Sequence, residues 1–419
     1  MKKILMYASV LCTLILLANA RADAITSGMI RLPDGLTKIE SEAFMGCNTM
    51  TSLRIPASVS VIGRAAFMDC SHLSYVFMPE TVSYIAEDAF SEVAQDVVFE
   101  VFPDTYAEKW VIDHDFSCIY ASEINHTSRD YLYTFCDGQS VAIVRYSGSE
   151  TECLRVPAEI DGYDVVRIGA GAFRDCAAKE IILPDTLQEI GFEAFYYAEA
   201  TVIHIPESVV SIESEAFMCC DVEEVFLPAG VSAIGTNPFR GCRNLEKISV
   251  AEENAIYGVS NNALVSKADM KLISYPYALV GDTLTIPDGI CIIGNTAFGY
   301  EGPCFTKLVI PDSVTEIQSS AFCFSQVEEV EIGGGVHTMG YGIFSYCDNL
   351  RNVTIKDGAA CIGSGAFNHC EALETVVVPN SVQSIADDAF EYAYNVSFVA
   401  DPDSYAAQYA NAHGIMLED

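Results

Sequence analysis

Sixteen cysteines, seven histidines and 58 acidic residues could build many catalytic or metal sites, so spacing decides which chemistry is open to this 419-residue chain. A zinc site needs Cys-x-x-Cys or histidines one helical turn apart. No Cys-x-x-Cys occurs, Cys219 and Cys220 are adjacent rather than chelating, and His72, His114, His126, His204, His337, His369 and His413 are scattered. Glycoside cleavage needs two carboxylates flanking one bond. Glu223-Glu224 and Glu328-Glu329 are consecutive, so on a strand they face opposite sides and read as solvated acidic surface. Asp113-His114-Asp115 and Asp401-Pro402-Asp403 would hold a cation only weakly, and such pairs arise by chance in so acidic a chain. There is no Gly-x-Ser-x-Gly elbow, no phosphate-cradling glycine loop and no His-Glu-x-x-His. No catalytic, cofactor-binding or metal residue is therefore assigned. The expectation is a protein that is not an enzyme and uses no cofactor, with a carboxylate-based hydrolase as the remote alternative.

Seven cysteines do share a spacing, and it points to structure. Cys47, Cys70, Cys176, Cys220, Cys242, Cys347 and Cys370 each stand three residues after a phenylalanine. Those phenylalanines belong to a longer register: Phe44, Phe67, Phe90, Phe195, Phe217, Phe239, Phe298, Phe322, Phe344, Phe367 and Phe390 each lie eleven residues into a unit, and Phe173 lies sixteen residues into a longer one. The units begin at Pro33, Pro56, Pro79, Pro157, Pro184, Pro206, Pro228, Pro287, Pro311, Gly333, Lys356 and Pro379. A fixed period near 23 residues is the mark of a solenoid in which one interior slot recurs every turn. Leu-x-x-Val-x-Ile/Leu-Pro alternates with period two, so each unit opens with a short strand closed by proline, and such strands stack in parallel. Thiols lined up along a ladder do not turn toward each other as a disulfide demands, so they are expected free. Cys118, Cys136, Cys153, Cys304 and Cys361 lie off the slot and retain the option of pairing.

The unit Ile-Pro-x-Ser-Val-x-x-Ile-Gly-x-x-Ala-Phe-x-x-Cys-x-x-Leu-x-x-Val resembles the BspA-type leucine-rich repeat, also found in treponemal surface antigens. The resemblance covers residues 32–118 and 132–419. It implies a β-rich α/β leucine-rich repeat solenoid: parallel short strands, short helical or 3-10 segments, and short capping helices. It also implies a secreted or surface-exposed protein concerned with adhesion or host-protein binding.

The array pauses after its third unit. Residues 101–116 (Val-Phe-Pro-Asp-Thr-Tyr-Ala through His114-Asp115-Phe116) have a twin at 399–415 (Val-Ala-Asp-Pro-Asp-Ser-Tyr-Ala through His413-Gly414-Ile415). A solenoid must cover its last hydrophobic layer, so a repeated cap implies two arrays. The expected organisation is a signal peptide over 1–24, a short array over 25–118, a linker over 119–129, and a long array over 130–419 that opens with a hairpin turning at Asp137-Gly138. The 59-residue gap after Pro228 reads as a hairpin-like insertion near 250–284, projecting from one side or folded in as an irregular buried coil. For the leader, Lys2 and Lys3 precede an apolar run over 4–17 and then Ala18-Asn19-Ala20 and Ala22-Asp23-Ala24. Fourteen apolar residues are too short to span a bilayer, so no membrane insertion is expected once the leader is removed.

Against 22 Lys+Arg stand 58 Asp+Glu, a formal charge of -36, which repels phosphate backbones and anionic lipid. Nucleic acid is excluded as a partner class. What remains is a secreted or cell-surface recognition protein binding a protein or glycan ligand, with a passive spacer or coat component as the alternative. In each unit, residues two and four before the proline point away from the buried positions. Among these, Tyr75, Phe77, His204 and Phe226 are the candidate ligand-binding face, because aromatic groups on an acidic open sheet are the anchors interfaces use.

Overall fold

The computed structural model describes residues 29–33, 35–94, 97–103, 105–121, 125–279, 281–299 and 305–418. The leader over 1–24 and Cys304 lie outside them. The described chain is a parallel β-solenoid with two α-helices, α1 (Tyr106–Asp113) and α2 (Tyr405–His413). It divides into two compact units, residues 1–144 with 157–166 and residues 145–156 with 167–419. The division does not fall at 119–129. The strand His126–Ser128, expected in the linker, and Tyr131–Phe135, expected at the head of the long array, belong to the first unit.

Each turn carries two short strands that pair in register with the next turn. In the first unit Leu53 lies opposite Val76 and Ile62 opposite Ile85; in the second Val330 lies opposite Val353 and Ile317 opposite Met339. All these side chains point inward and are buried, as the period-two pattern requires. The glycine that follows many second strands is needed because consecutive turns nearly touch there. A Cβ at Gly363 would lie 2.5 Å from the Met339 carbonyl oxygen.

The phenylalanine slot forms stacked runs. Phe44, Phe67 and Phe90 follow one another at 5.4 and 4.9 Å between centroids, Phe173 through Phe239 at 5.2–5.4 Å, and Phe298 through Phe390 at 5.2–5.6 Å. The residue before the ring matters too: the Phe67 N–H donates to the Ala89 carbonyl of the next turn at 2.8 Å, and the Phe344 N–H to Ala366 at 2.9 Å. The end rings are covered by the caps, Phe90 by Phe99 and Trp110, Phe390 by Phe398 and Tyr409. The caps start alike. Thr105 Oγ1 accepts from the Glu108 N–H and Ser404 Oγ from the Ala407 N–H, each at 3.1 Å, so a side-chain oxygen satisfies one free donor at each helix start.

None of the fourteen described cysteines is joined in a disulfide. In the slot, the Cys70, Cys242, Cys347 and Cys370 thiols donate to the carbonyls of Phe44, Phe217, Phe322 and Phe344 at 3.0–3.2 Å, one turn back. Burial pushes the Cys220 and Cys347 thiols up to about 12 and raises Cys242 and Cys370 as well. A thiol raised on folding must give up its proton more easily in the unfolded chain. Stability is therefore whole below the unfolded thiol value of about 8.5 and falls as pH climbs from there through the folded values. We expect the melting temperature to fall between pH 8.5 and 11. A thiol reagent at pH 8 should label exposed Cys136 at once and the buried slot cysteines only after unfolding. Prompt native-state labelling of Cys242 or Cys347 would contradict this burial.

The insertion is a hairpin, but it is built into the coil and does not hang from it. Tyr257–Ser260, Ala263–Ser266 and Lys271–Ser274 form an antiparallel meander, and the last strand then pairs in parallel with Ile292–Ile293. It supplies the second strand of a turn that has no phenylalanine of its own. Ala263, Leu264, Val265, Leu272 and Tyr277 are buried beneath it. Asn237 spans the missing rung, its amide Nδ2 donating to the carbonyls of Thr296 and Ala297 at 3.0 and 3.1 Å.

Candidate functional site

The four residues proposed for a binding face part ways in the structure. In the first unit Arg54, Phe77 and Glu100 stand in register on the outward face of three neighbouring strands. They face protein, not solvent. Phe77 is 0% exposed, stacked on Phe135 at 5.3 Å and edge-on to Phe102 and Tyr163. Its assignment to an open face is therefore corrected: residues 126–135 and 161–163 of the same unit cover it.

That cover is polar as well as aromatic. The Arg54 guanidinium lies 4.0 Å above the Phe77 ring, and its Nη2 donates to the Tyr133 hydroxyl at 2.7 Å. Tyr133 in turn donates to Asp161 at 2.9 Å, as does Ser128 at 2.8 Å. Glu100 is 0% exposed, with His126 Nε2 at 2.9 Å from one oxygen and the Tyr75 hydroxyl donating to the other. Burial pushes the Tyr133 and Tyr163 hydroxyls above the ordinary phenol range, so both stay neutral. Tyr75 is half-buried and committed to Glu100. An arginine and a glutamate on an outward strand face would ordinarily be solvated; here they are matched inside the unit.

The second unit keeps its strand face open. Phe226 is 48% exposed, and His204 is exposed with Nε2 3.0 Å from Glu180 Oε1. Farther along, the face is laced with ion pairs, Lys307 with Glu331 at 2.7 Å and Arg351 with Glu374 at 2.7 Å. Two rings on an acid- and base-paired sheet make a sparse surface.

A denser aromatic surface lies elsewhere in this unit. Two residues after the slot phenylalanine the chain turns through positive φ, and in four successive turns that residue is Phe324 (φ 61), Tyr346 (φ 60), His369 (φ 56) and Tyr392 (φ 67). Elsewhere the same place is held by Gly46, Asp69, Asp175 and Gly241, residue types that tolerate the left-handed region, and by Glu92, Tyr197 and Cys219. The four rings stack at 4.7, 4.4 and 4.2 Å with interplanar angles of 2–16°, and Tyr394 meets Tyr392 edge-on at 6.2 Å. Stacking offsets the backbone strain, each pair contributing on the order of 1 kcal/mol. Where the second-strand sheet breaks at the insertion, a polar cleft of about 340 Å³ is lined by Ser214, Thr236, Tyr257, Ser266, Asp269 and Lys271. Among the described residues no group of three or more His, Cys, Asp or Glu is placed to hold a metal, and no helix is long and apolar enough to cross a membrane.

The repeating coil, the phenylalanine slot and the buried thiols together define a repeat class. A model of the BspA-type leucine-rich repeat region matches in six copies, over residues 23–105, 164–280 and 281–403. The chain belongs to that family. Among solved structures this BspA-type chain is similar to a leucine-rich cell surface protein of Faecalibacterium prausnitzii A2-165, with 22% identity, 93% of this chain and 90% of that one covered, and TM-score 0.47. It is also similar to a leucine-rich repeat protein of Eubacterium ventriosum, at 20% identity over 66% and 84% with TM-score 0.50, and to a leucine-rich repeat protein of T. pallidum, at 18% over 70% and 98% with TM-score 0.23. The Eubacterium likeness is one of fold. No curated protein matches the chain. The ring stack was missed in reading for chemistry, although its signal is in the sequence: an aromatic residue two places after the slot in consecutive units.

Proposed function

We propose that this BspA-type repeat protein is a secreted or cell-surface recognition protein, binding a protein or glycan through the outer surface of its second unit. The observation that carries this reading is the exposed stack from Phe324 to Tyr392, held at backbone positions where glycine or aspartate would be less strained. The leader-like residues 1–24 and the family's habit of surface display support the location. The first unit's strand face, filled by its own chain, has the character of a support.

The test is a pull-down with the full chain, at micromolar concentration, from host and cell-wall extracts, beside the Tyr346→Ala/His369→Ala and Phe226→Ala variants. A partner retained by the parent and lost with one variant, at unchanged melting temperature, supports recognition and says which surface serves it. Nothing retained, or the same material retained by all three, favours the passive spacer.

A further inference from the structure

The two caps are built on one plan, which makes their differences informative. Trp110 stacks on His114 in the first and Tyr409 on His413 in the second, each pair at 3.9 Å. Asp88 and Asp388 hold the same place, two residues before the last slot ring. In the first cap Arg64 reaches Asp88 from the preceding turn, Nη2 at 3.1 Å and Nε at 3.3 Å, and holds its carboxyl below the usual range. Ser364 stands at the matching place before Asp388 and offers a hydroxyl at 2.7 Å but no charge. Among the described residues no basic side chain pairs with Asp388 or Glu391, and Asp387 has only His413 at 3.8 Å.

A second difference lies beside the first. Where the first cap has Glu92 and Ala94, the second has Tyr392 and Tyr394, two rings at 85° to each other, and Tyr394 is 78% exposed. With Asp387, Asp388, Glu391 and His413 they line an open cleft of about 500 Å³. The first cap does without these tyrosines, so closing the solenoid does not require them. Rings beside unneutralised carboxylates suit a cation. A guanidinium fits best: it is planar, rests on aromatic faces, pairs with carboxylates through a fork and is weakly hydrated. A neutral sugar would leave the carboxylates uncompensated, and the chain's charge of -36 steers basic partners toward the surface.

We propose that this cleft binds an arginine side chain presented by a partner polypeptide, the guanidinium taking at Asp388 the place that Arg64 takes at Asp88, against Tyr392 and Tyr394. This deepens the recognition reading and depends on it. The experiment is calorimetric titration of the full chain, at physiological ionic strength, with an arginine–glycine repeat peptide and its lysine and glutamate counterparts. The arginine peptide binds, the lysine peptide binds more weakly and the glutamate peptide does not. Ser364→Arg fills the cleft from within, and Tyr392→Glu with Tyr394→Ala removes its rings. Each weakens arginine-peptide binding about tenfold or more. Both import residues the first cap already carries, and if one variant loses its melting transition the other decides. Equal affinity for parent and folded variants reduces the attraction to undirected charge and overturns the proposal. So does equal affinity for the lysine peptide, or no binding to the parent. A partner still retained in the pull-down under any of those results leaves recognition standing and removes only the arginine site.

Discussion

Replacing Phe217 by alanine is expected to destabilise the second unit by about 3–5 kcal/mol. The ring is buried, packed between Phe195 at 5.2 Å and Phe239 at 5.3 Å, nearly parallel to the first. Neither neighbour can move into the space, because each is itself held in the column and each turn is pinned to the next by backbone bonds such as Phe217 N–H to the Pro238 carbonyl at 2.8 Å. The cavity therefore stays open, and its cost adds to the lost transfer energy. Phe226→Ala, on the open face nine residues later, should cost about 0.5 kcal/mol or less, since its ring is already half in water. Urea denaturation of both variants reads the contrast. A loss at Phe217 no larger than at Phe226 would mean that the slot is not the core.

What the sequence made legible was whatever repeats. Phe217 and eleven other rings announce one slot because twelve turns solve the same packing problem with the same residue. The caps were readable because Tyr-Ala followed by an aromatic and a histidine occurs twice. Phe77 misled because alternation settles only which side of its strand a residue faces. Whether that side meets water depended on residues 126–135 and 161–163, far along the chain, with nothing local to announce them. Arg54 and Glu100 held the missing hint: opposite charges on outward positions of strands two turns apart, with an aromatic between them. The insertion after Pro228 carries hairpin signals in its sequence, but its incorporation rests on pairing of Lys271–Ser274 with Ile292–Ile293, a register no turn signal sets.

His126→Leu is expected to cost about 3–5 kcal/mol, because the ring is buried and because of what its loss leaves behind in Glu100. That carboxylate has no access to water, and removing the imidazole strips one oxygen of its neighbour at 2.9 Å while the Tyr75 hydroxyl serves only the other. Arg54 Nη1 lies 3.5 Å from His126 Nδ1 and can only donate, which puts the imidazole proton on Nε2, toward Glu100. Arginine thus orients histidine, and histidine stands against the glutamate. Replacing both partners, Glu100→Leu with His126→Leu, removes the buried carboxyl together with its neighbour and should recover most of the loss, leaving a double variant within about 1 kcal/mol of the parent. A double-mutant cycle in urea measures the coupling. Additive losses, or a His126→Leu cost below about 1 kcal/mol, would show that the pair is solvated and that the first unit's strand face opens to water. A strong coupling instead means that this face is kept filled from within, which leaves partner binding to the second unit.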